Sequence, residues 1–457
     1  MKGPLLAIAL VALLAPLAVA APTRSFPQVD VSRVPGTQAE VSVTVDPLHP
    51  KVLLAGSNSD AFDGRAFTRA YTSSDSGRSW RSEAGPLPPD GRPRDCSFGD
   101  PSVAIDRRGR QYYAFLYAAC GSARAVPNLA VATRSGARGR WHSVPIEAPS
   151  RSREDDKPSL VVDTSPRSRF VGRIYVTWIR GGSSGEAGGV VTSHSQDQGR
   201  TWSRPVVVAI EPGAAPWFPA VATGSHGEVY VAWIASVGTI EIVRSTDGGA
   251  HFGRRRVADR IVSLPGRPCD LAPALSIPAQ PRRCVSPAPT IGVDRTRGGR
   301  AGQVYVTYSK SGPDGKEQDV YVHVYNRKLS SRGTFRVNPP DGGRASDQFL
   351  PVSAVDESTG RVWVCYYATG TGPARTKATF TCAGSADGRR WSTPIRAASV
   401  PSDVTVRGAP PFEYGDYEGL SAAGGIAHPM WTDARELRIS GEEIYTTSIP
   451  QAALELA

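Results

Sequence analysis

Seven stretches of the chain repeat one pattern of apolar and polar positions: an alternating apolar strand, a polar turn, then a strand rich in Val, Tyr and Trp. The copies read VSVTVDPLHPKVLLAGS, PSVAIDRRGRQYYAFLY, PSLVVDTSPRSRFVGRIYVTWI, PAVATGSHGEVYVAWIA, PTIGVDRTRGGRAGQVYVTYS, PVSAVDESTGRVWVCYYA and EGLSAAGGIAHPMWTD. Period-two alternation on both sides of turn residues predicts β-hairpins. Six of the seven are followed by a third strand, a turn and a fourth strand such as PVVVAI or TPIRAA. Four antiparallel strands per unit, repeated along the chain, predict an all-β fold, a β-propeller of four-stranded blades. Seven blades is the preferred count; six, with one hairpin spent elsewhere, is the alternative. The last unit lacks a fourth strand, whereas the strand-like piece from Phe26 to Val34 has no unit of its own. It is expected to complete the last blade, closing the ring and removing an exposed sheet edge.

A second string is interleaved with the first. Ser73-Ser74-Asp75-Ser76-Gly77-Arg78-Ser79-Trp80 returns at Ser195–Trp202 and Ser245–Phe252, and one residue shorter at Ser385–Trp391. Its Asp accepts hydrogen bonds from the turn's own amides, and its Gly supplies a positive φ. The string therefore predicts a tight turn between strands three and four, with the aromatic residue tucked beneath it. Its aspartates are read as folding devices rather than catalytic acids.

Composition sets the compartment and excludes some partners. Residues 1–20 carry Lys2, an apolar run from Leu5 and the small-x-small ending Ala18-Val19-Ala20, the pattern of a cleaved secretion leader. Residues 21–457 are then one propeller domain in a secreted, extracellular protein. Nothing later is long and apolar enough to span a bilayer. Six cysteines in an exported chain predict disulfides, and proximity pairs Cys96 with Cys120, Cys269 with Cys284 and Cys365 with Cys382. The formal charge of +11 is scattered rather than striped, which argues against nucleic acid. A monomer is expected. No cofactor is expected, although crowded carboxylates could hold a structural Ca²⁺.

The Ser-x-Asp-x-Gly-x-x-Trp string resembles the Asp-box, or bacterial neuraminidase repeat, of the sialidase superfamily. Phe412–Leu420 followed by Trp431-Thr432-Asp433-Ala434-Arg435 is a further likeness to secreted bacterial proteins of that kind. The resemblance implies a propeller that acts on extracellular glycans as an exo-sialidase-like glycoside hydrolase. It also implies a tyrosine nucleophile, for which Tyr417 in Tyr417-Glu418-Gly419-Leu420 is the candidate, and an acid/base aspartate, for which Asp63 is the loose match. The three substrate-binding arginines that it implies for the inner strands have no counterpart, since those strands contain none. The alternative is a non-catalytic propeller that binds glycans or a protein.

Antiparallel topology places the residues ahead of each innermost strand at one mouth of the central channel and the Asp turns on the opposite face. The mouth is a natural pocket. The candidates there are Glu40, Asp100, Asp156 with Lys157, Trp217 with Phe218, Asp347 with Gln348, and Asp416 with Tyr417. Loops between strands two and three add Asp63, Asp433 and Arg435. Crowded carboxylates shift one another's pKa and can prepare an acid beside a base. The expected catalytic set is Tyr417, Asp416 and Asp63, with the other residues holding a glycan or glycoconjugate.

Overall fold

The computed structural model describes residues 26–455, apart from 64, 123–124, 182–187, 212–215, 236–237, 262–274, 313–314, 316, 341–344, 373, 407–411 and 438–440. The expected leader lies outside the described residues. Among the described residues the regular structure is all strand, joined by turns and loops, apart from one 3₁₀ turn at Gln451–Glu455.

The sheets follow the repeat. Four are separate four-stranded antiparallel sheets, beginning at Asp155–Val162, Trp217–Thr223, Thr290–Val293 and Gln348–Val355. An eight-stranded sheet consists of two such sets, beginning at Gln38–Val45 and Asp95–Ile105, joined by the single parallel bridge Ala66–Ser97. The last set begins at Gly419–Ala423, and its third strand, Glu443–Thr447, pairs with Gln28–Asp30. The strand expected near Phe26 thus supplies the strand that the last hairpin lacks. The short hairpin Leu275–Ile277 with Gln280–Val285 is an insertion that the repeat does not predict.

The first strands of successive sets pack on one another in chain order, and Gly419–Ala423 packs back on Gln38–Val45. Hydroxyls stitch these junctions. Ser42 Oγ accepts from Val103 N (3.2 Å), Ser102 Oγ from Leu160 N (2.9 Å), Ser159 Oγ from Val221 N (3.2 Å) and Thr290 Oγ1 from Ser353 N (3.1 Å). Ser421 Oγ accepts from Val45 N (3.1 Å), linking the last set to the first. First strands splay from their neighbours, so their outward amides have no ladder partner, and a short hydroxyl side chain satisfies each one. Ser102→Ala should therefore cost about 1 kcal/mol by leaving the Leu160 amide unpaired. The urea midpoint measures it, and an unchanged midpoint would mean that water replaces the hydroxyl.

The second strands read as near-continuous apolar runs because both of their faces are covered by adjacent sheets. Trp178 and Trp233 occupy the same place in two of them, and both are fully buried. The Asp turns sit between strands three and four as expected. In the first, Ser79 N and Oγ donate to Asp75 at 2.9 and 2.6 Å, and Gly77 (φ 79°) donates its amide to Ser73 Oγ. The hydrogen bond from the Thr201 hydroxyl helps hold the equivalent Asp197 at about 2, as a turn anchor requires. Disulfides Cys96–Cys120 and Cys365–Cys382 form as paired by proximity. Cys284 is also disulfide-bonded, but Cys269 lies outside the described residues.

Candidate functional site

Five first strands begin with the same local distortion. Glu40, Asp100, Lys157, Phe218 and Leu350 have φ between 47° and 59°, and each is flanked by a shift in strand register. Four of them precede a proline, which also restricts the backbone. A non-glycine residue held at positive φ costs on the order of 1–3 kcal/mol, and such strain clusters at functional sites. Here it lifts a side chain out of the pleat at the start of each strand.

Three of these side chains meet Asp416 in one cluster. Lys157 Nζ lies 2.8 Å from Asp416 Oδ2 and 3.2 Å from Asp100 Oδ2. Arg283 grips Asp416 with Nε (2.9 Å) and Nη2 (3.0 Å), and the same Nη2 donates to Glu40 Oε1. Asn58 Nδ2 donates to the other Glu40 oxygen at 2.7 Å, while its Oδ1 accepts from the Asp100 amide at 2.8 Å. The cluster borders a cavity of about 450 Å³ that Phe98, Asp156 and Phe412 also line. A second cavity of about 210 Å³ lies among the first strands, past Phe218, Leu350 and Tyr417.

Three buried carboxyl groups face two cations, so full ionisation would bury one uncompensated negative charge. One proton relieves it. Burial, together with the charges of Asp416 and Asp100, pushes Glu40 up to about 8 against the pull of Lys157 and Arg283. Asp100 is also raised by burial. Burial opposes ionisation of Asp416 too, but Lys157 and Arg283 hold it well below the usual carboxylate range. Lys157 stays charged despite burial because Asp100, Asp416 and Glu40 surround it. Burial and the same carboxylates push the Tyr417 phenol well above its ordinary value, so it keeps its proton at neutral pH.

This has a consequence for stability. From the unfolded value near 4.5 up to about 8, the folded protein binds more protons at Glu40 than the unfolded chain does. Glu40 therefore contributes stability that is fully present below the unfolded value and lost as pH rises through about 8. Glu40→Gln should flatten the decline of melting temperature between those pH values. Parallel curves for the variant and the parent would refute the shift.

The other expected residues stand outside the cluster itself. Asp156 lines the larger cavity, and its carboxylate accepts from the Lys157 amide. Trp217 packs beside Phe218 at 6.2 Å between ring centroids. Asp347 lies three residues before the distorted position, which Leu350 occupies. Its carboxylate is fully buried, accepts from Gln318 N at 3.1 Å and pairs with Arg375. Asp433 and Arg435 pair bidentately at 2.9 and 2.7 Å, and Arg435 also donates to Gln28 Oε1 (2.8 Å). That pair ties the N-terminal strand to the last sheet and does not join the cluster. Asp63 ends strand Leu53–Asp63, and its side chain lies outside the described residues. Sequence reasoning missed Asn58 and, at the centre of the cluster, Arg283. It arrives from the inserted hairpin, where only the adjacent Arg282-Arg283 pair and Cys284 mark the segment.

The crowded carboxylates in which Ca²⁺ was the expected alternative have two cations among them. Lys157 and Arg283 stand as the counter-charges of Glu40, Asp100 and Asp416. Among the described residues no group of three or more His, Cys, Asp or Glu side chains is arranged to hold a metal ion. No helix among them is long and apolar enough to cross a membrane.

No family model matches the chain, and no curated protein matches it. Solved structures do. An ulvan lyase of polysaccharide lyase family PL25 is similar over 94% of this chain and 99% of its own, at 12% identity and a TM-score of 0.52. The leech intramolecular trans-sialidase matches over 96% and 72%, at 11% identity and a TM-score of 0.48. A protein of unknown function from Dyadobacter fermentans matches over 80% and 98%, at 17% identity and a TM-score of 0.46. At 12% identity the likeness to the ulvan lyase carries the fold alone and no particular activity.

Proposed function

We propose that the chain closes into a seven-bladed, sialidase-like propeller that is secreted and acts on extracellular glycans at the mouth of its channel. The seven sets of four strands, the return of Gly419–Ala423 to Gln38–Val45 and the N-terminal strand on the last sheet support that closure. The reaction proposed is glycoside hydrolysis. The observation that carries it is the divergence of two carboxyl groups that share one guanidinium nitrogen, Glu40 raised and Asp416 lowered. Groups whose environments push their pKa values apart make an acid and a base. Two hydrogen bonds to one nitrogen keep their oxygens within about 6 Å, near the spacing of retaining glycosidases. Glu40 is then the proton donor, and Asp416 is the ionised partner. Tyr417, still protonated, serves as a hydrogen-bonding or stacking contact for the sugar rather than as a ready nucleophile.

The second reading, a non-catalytic glycan-binding propeller, is favoured by one observation: Arg283 occupies the space between the two carboxyl groups. A screen on chromogenic glycosides, the sialoside included, with polyuronate in parallel separates these readings. Hydrolysis by the parent that falls at least 100-fold in Glu40→Gln supports the first. Glycan binding without turnover of any substrate supports the second. Sialoside turnover lost in Tyr417→Phe but kept in Glu40→Gln would move the chemistry to the tyrosine.

A further inference from the structure

The face opposite the cluster carries a cavity of about 420 Å³ built where the turns of three hairpins meet. Asp106-Arg107-Arg108 comes from the turn after one first strand, and the segment from Asp163 to Arg173 comes from the turn after the next. Gln196 and Gln198 belong to an Asp turn. Four arginines, Arg107, Arg108, Arg169 and Arg173, line this space. Among the described residues none of the four makes an ion pair. Arg169 Nη2 and Arg173 Nη1 donate to the carbonyls of Thr246 and Gly248 in the neighbouring Asp turn, at 2.7 and 2.9 Å. Arg107 reaches only the Thr164 carbonyl, at 3.4 Å.

The two carboxylates in the cavity are committed to their own turns. Asp106 accepts from Arg108 N (2.8 Å), Arg110 N (2.9 Å) and Tyr112 Oη (2.9 Å). Asp163 accepts from Ser165 N (3.1 Å) and Ser168 Oγ. Positive charge therefore exceeds negative charge in a concave site, which concentrates anions. Guanidinium forks match carboxylate and sulfate oxygens. The one aromatic ring present, Phe170, is covered. Arg169 and Arg173 stand 4.7 and 4.4 Å from its centroid, and Gly227 and Gly248 abut its edge so closely that a Cβ on either would clash. No ring face is left for base stacking, which single-stranded nucleic acid binding relies on.

We propose that this cavity is a second binding site, for the anionic groups of an acidic polysaccharide, carboxylate or sulfate. It would tether the protein to such a polymer independently of the channel site. Fluorescence anisotropy with labelled heparin fragments, oligogalacturonate, neutral dextran and single-stranded DNA tests it. The expected result is binding to one or both acidic saccharides that weakens as NaCl rises. The pair Arg107→Gln/Arg108→Gln should lower that affinity at least tenfold, with Arg169→Gln as a second variant should the pair fold poorly. Sulfate-only or carboxylate-only binding names the polymer and supports the site. Anisotropy reads binding without turnover, so a channel site that turns nothing over does not bear on this result. Equal binding of dextran, tighter binding of DNA, or insensitivity to the arginine changes would each overturn it.

Discussion

Asp416→Asn is expected to destabilise the protein by about 3–5 kcal/mol, as breaking a buried ion pair from one side does. Lys157 and Arg283 keep only 11% and 24% of their side-chain surface exposed, and Asp416 is their common partner. The amide still offers one acceptor oxygen, but it supplies no charge. Lys157 then keeps Asp100 at 3.2 Å, and Arg283 keeps at most one arm of its grip. Chemical denaturation measures the loss, and glycan turnover or affinity should fall at least 100-fold alongside. Stability and function can be separated by the pair Lys157→Met/Asp416→Leu. Replacing a buried ion pair by apolar groups of similar volume is often neutral, so this variant should recover part of the lost stability and none of the function. Asp416→Asn with native stability and native function would remove the basis for the site.

Deletion of residues 26–34 should cost at least about 4 kcal/mol, from one buried valine and several backbone and side-chain hydrogen bonds. Val31 is 1% exposed, in a cluster with Val43, Met430 and Ile444. Its amide donates to Ile444 O at 2.8 Å, and Gln28 Nε2 donates to Ala397 O at 2.8 Å. Removing the strand also bares the edge of Glu443–Thr447, a template for pairing with another chain. A lower denaturation midpoint with concentration-dependent association is expected, and a peptide of residues 26–34 added in trans should reverse both. A truncated chain with the parent's midpoint would mean that the strand decorates the last sheet without holding it.

Periodicity alone determined the architecture. Alternation and turn chemistry are local properties, so the hairpins, the Asp turns and the strand near Phe26 could be read directly from the order of residues. The same logic placed Glu40, Asp100, Lys157 and Asp416 at one end of their strands, because strand direction follows from counting turns. Asp347 stands directly ahead of Gln348–Val355 as expected, but the distorted position falls three residues later, because a register shift at the head of a strand leaves the alternation downstream unchanged. The position belongs to Leu350. Alternation leaves the part played by Asp433 and Arg435 open for a related reason: a charged pair in a loop looks the same whether it faces a ligand or fastens the N-terminal strand. Arg283 lies in an inserted hairpin outside the repeat, and only packing of that hairpin over the heads of the first strands brings it to Glu40 and Asp416. The division of charge among those groups was likewise settled by tertiary structure, because a pKa depends on burial and on neighbours distant in sequence.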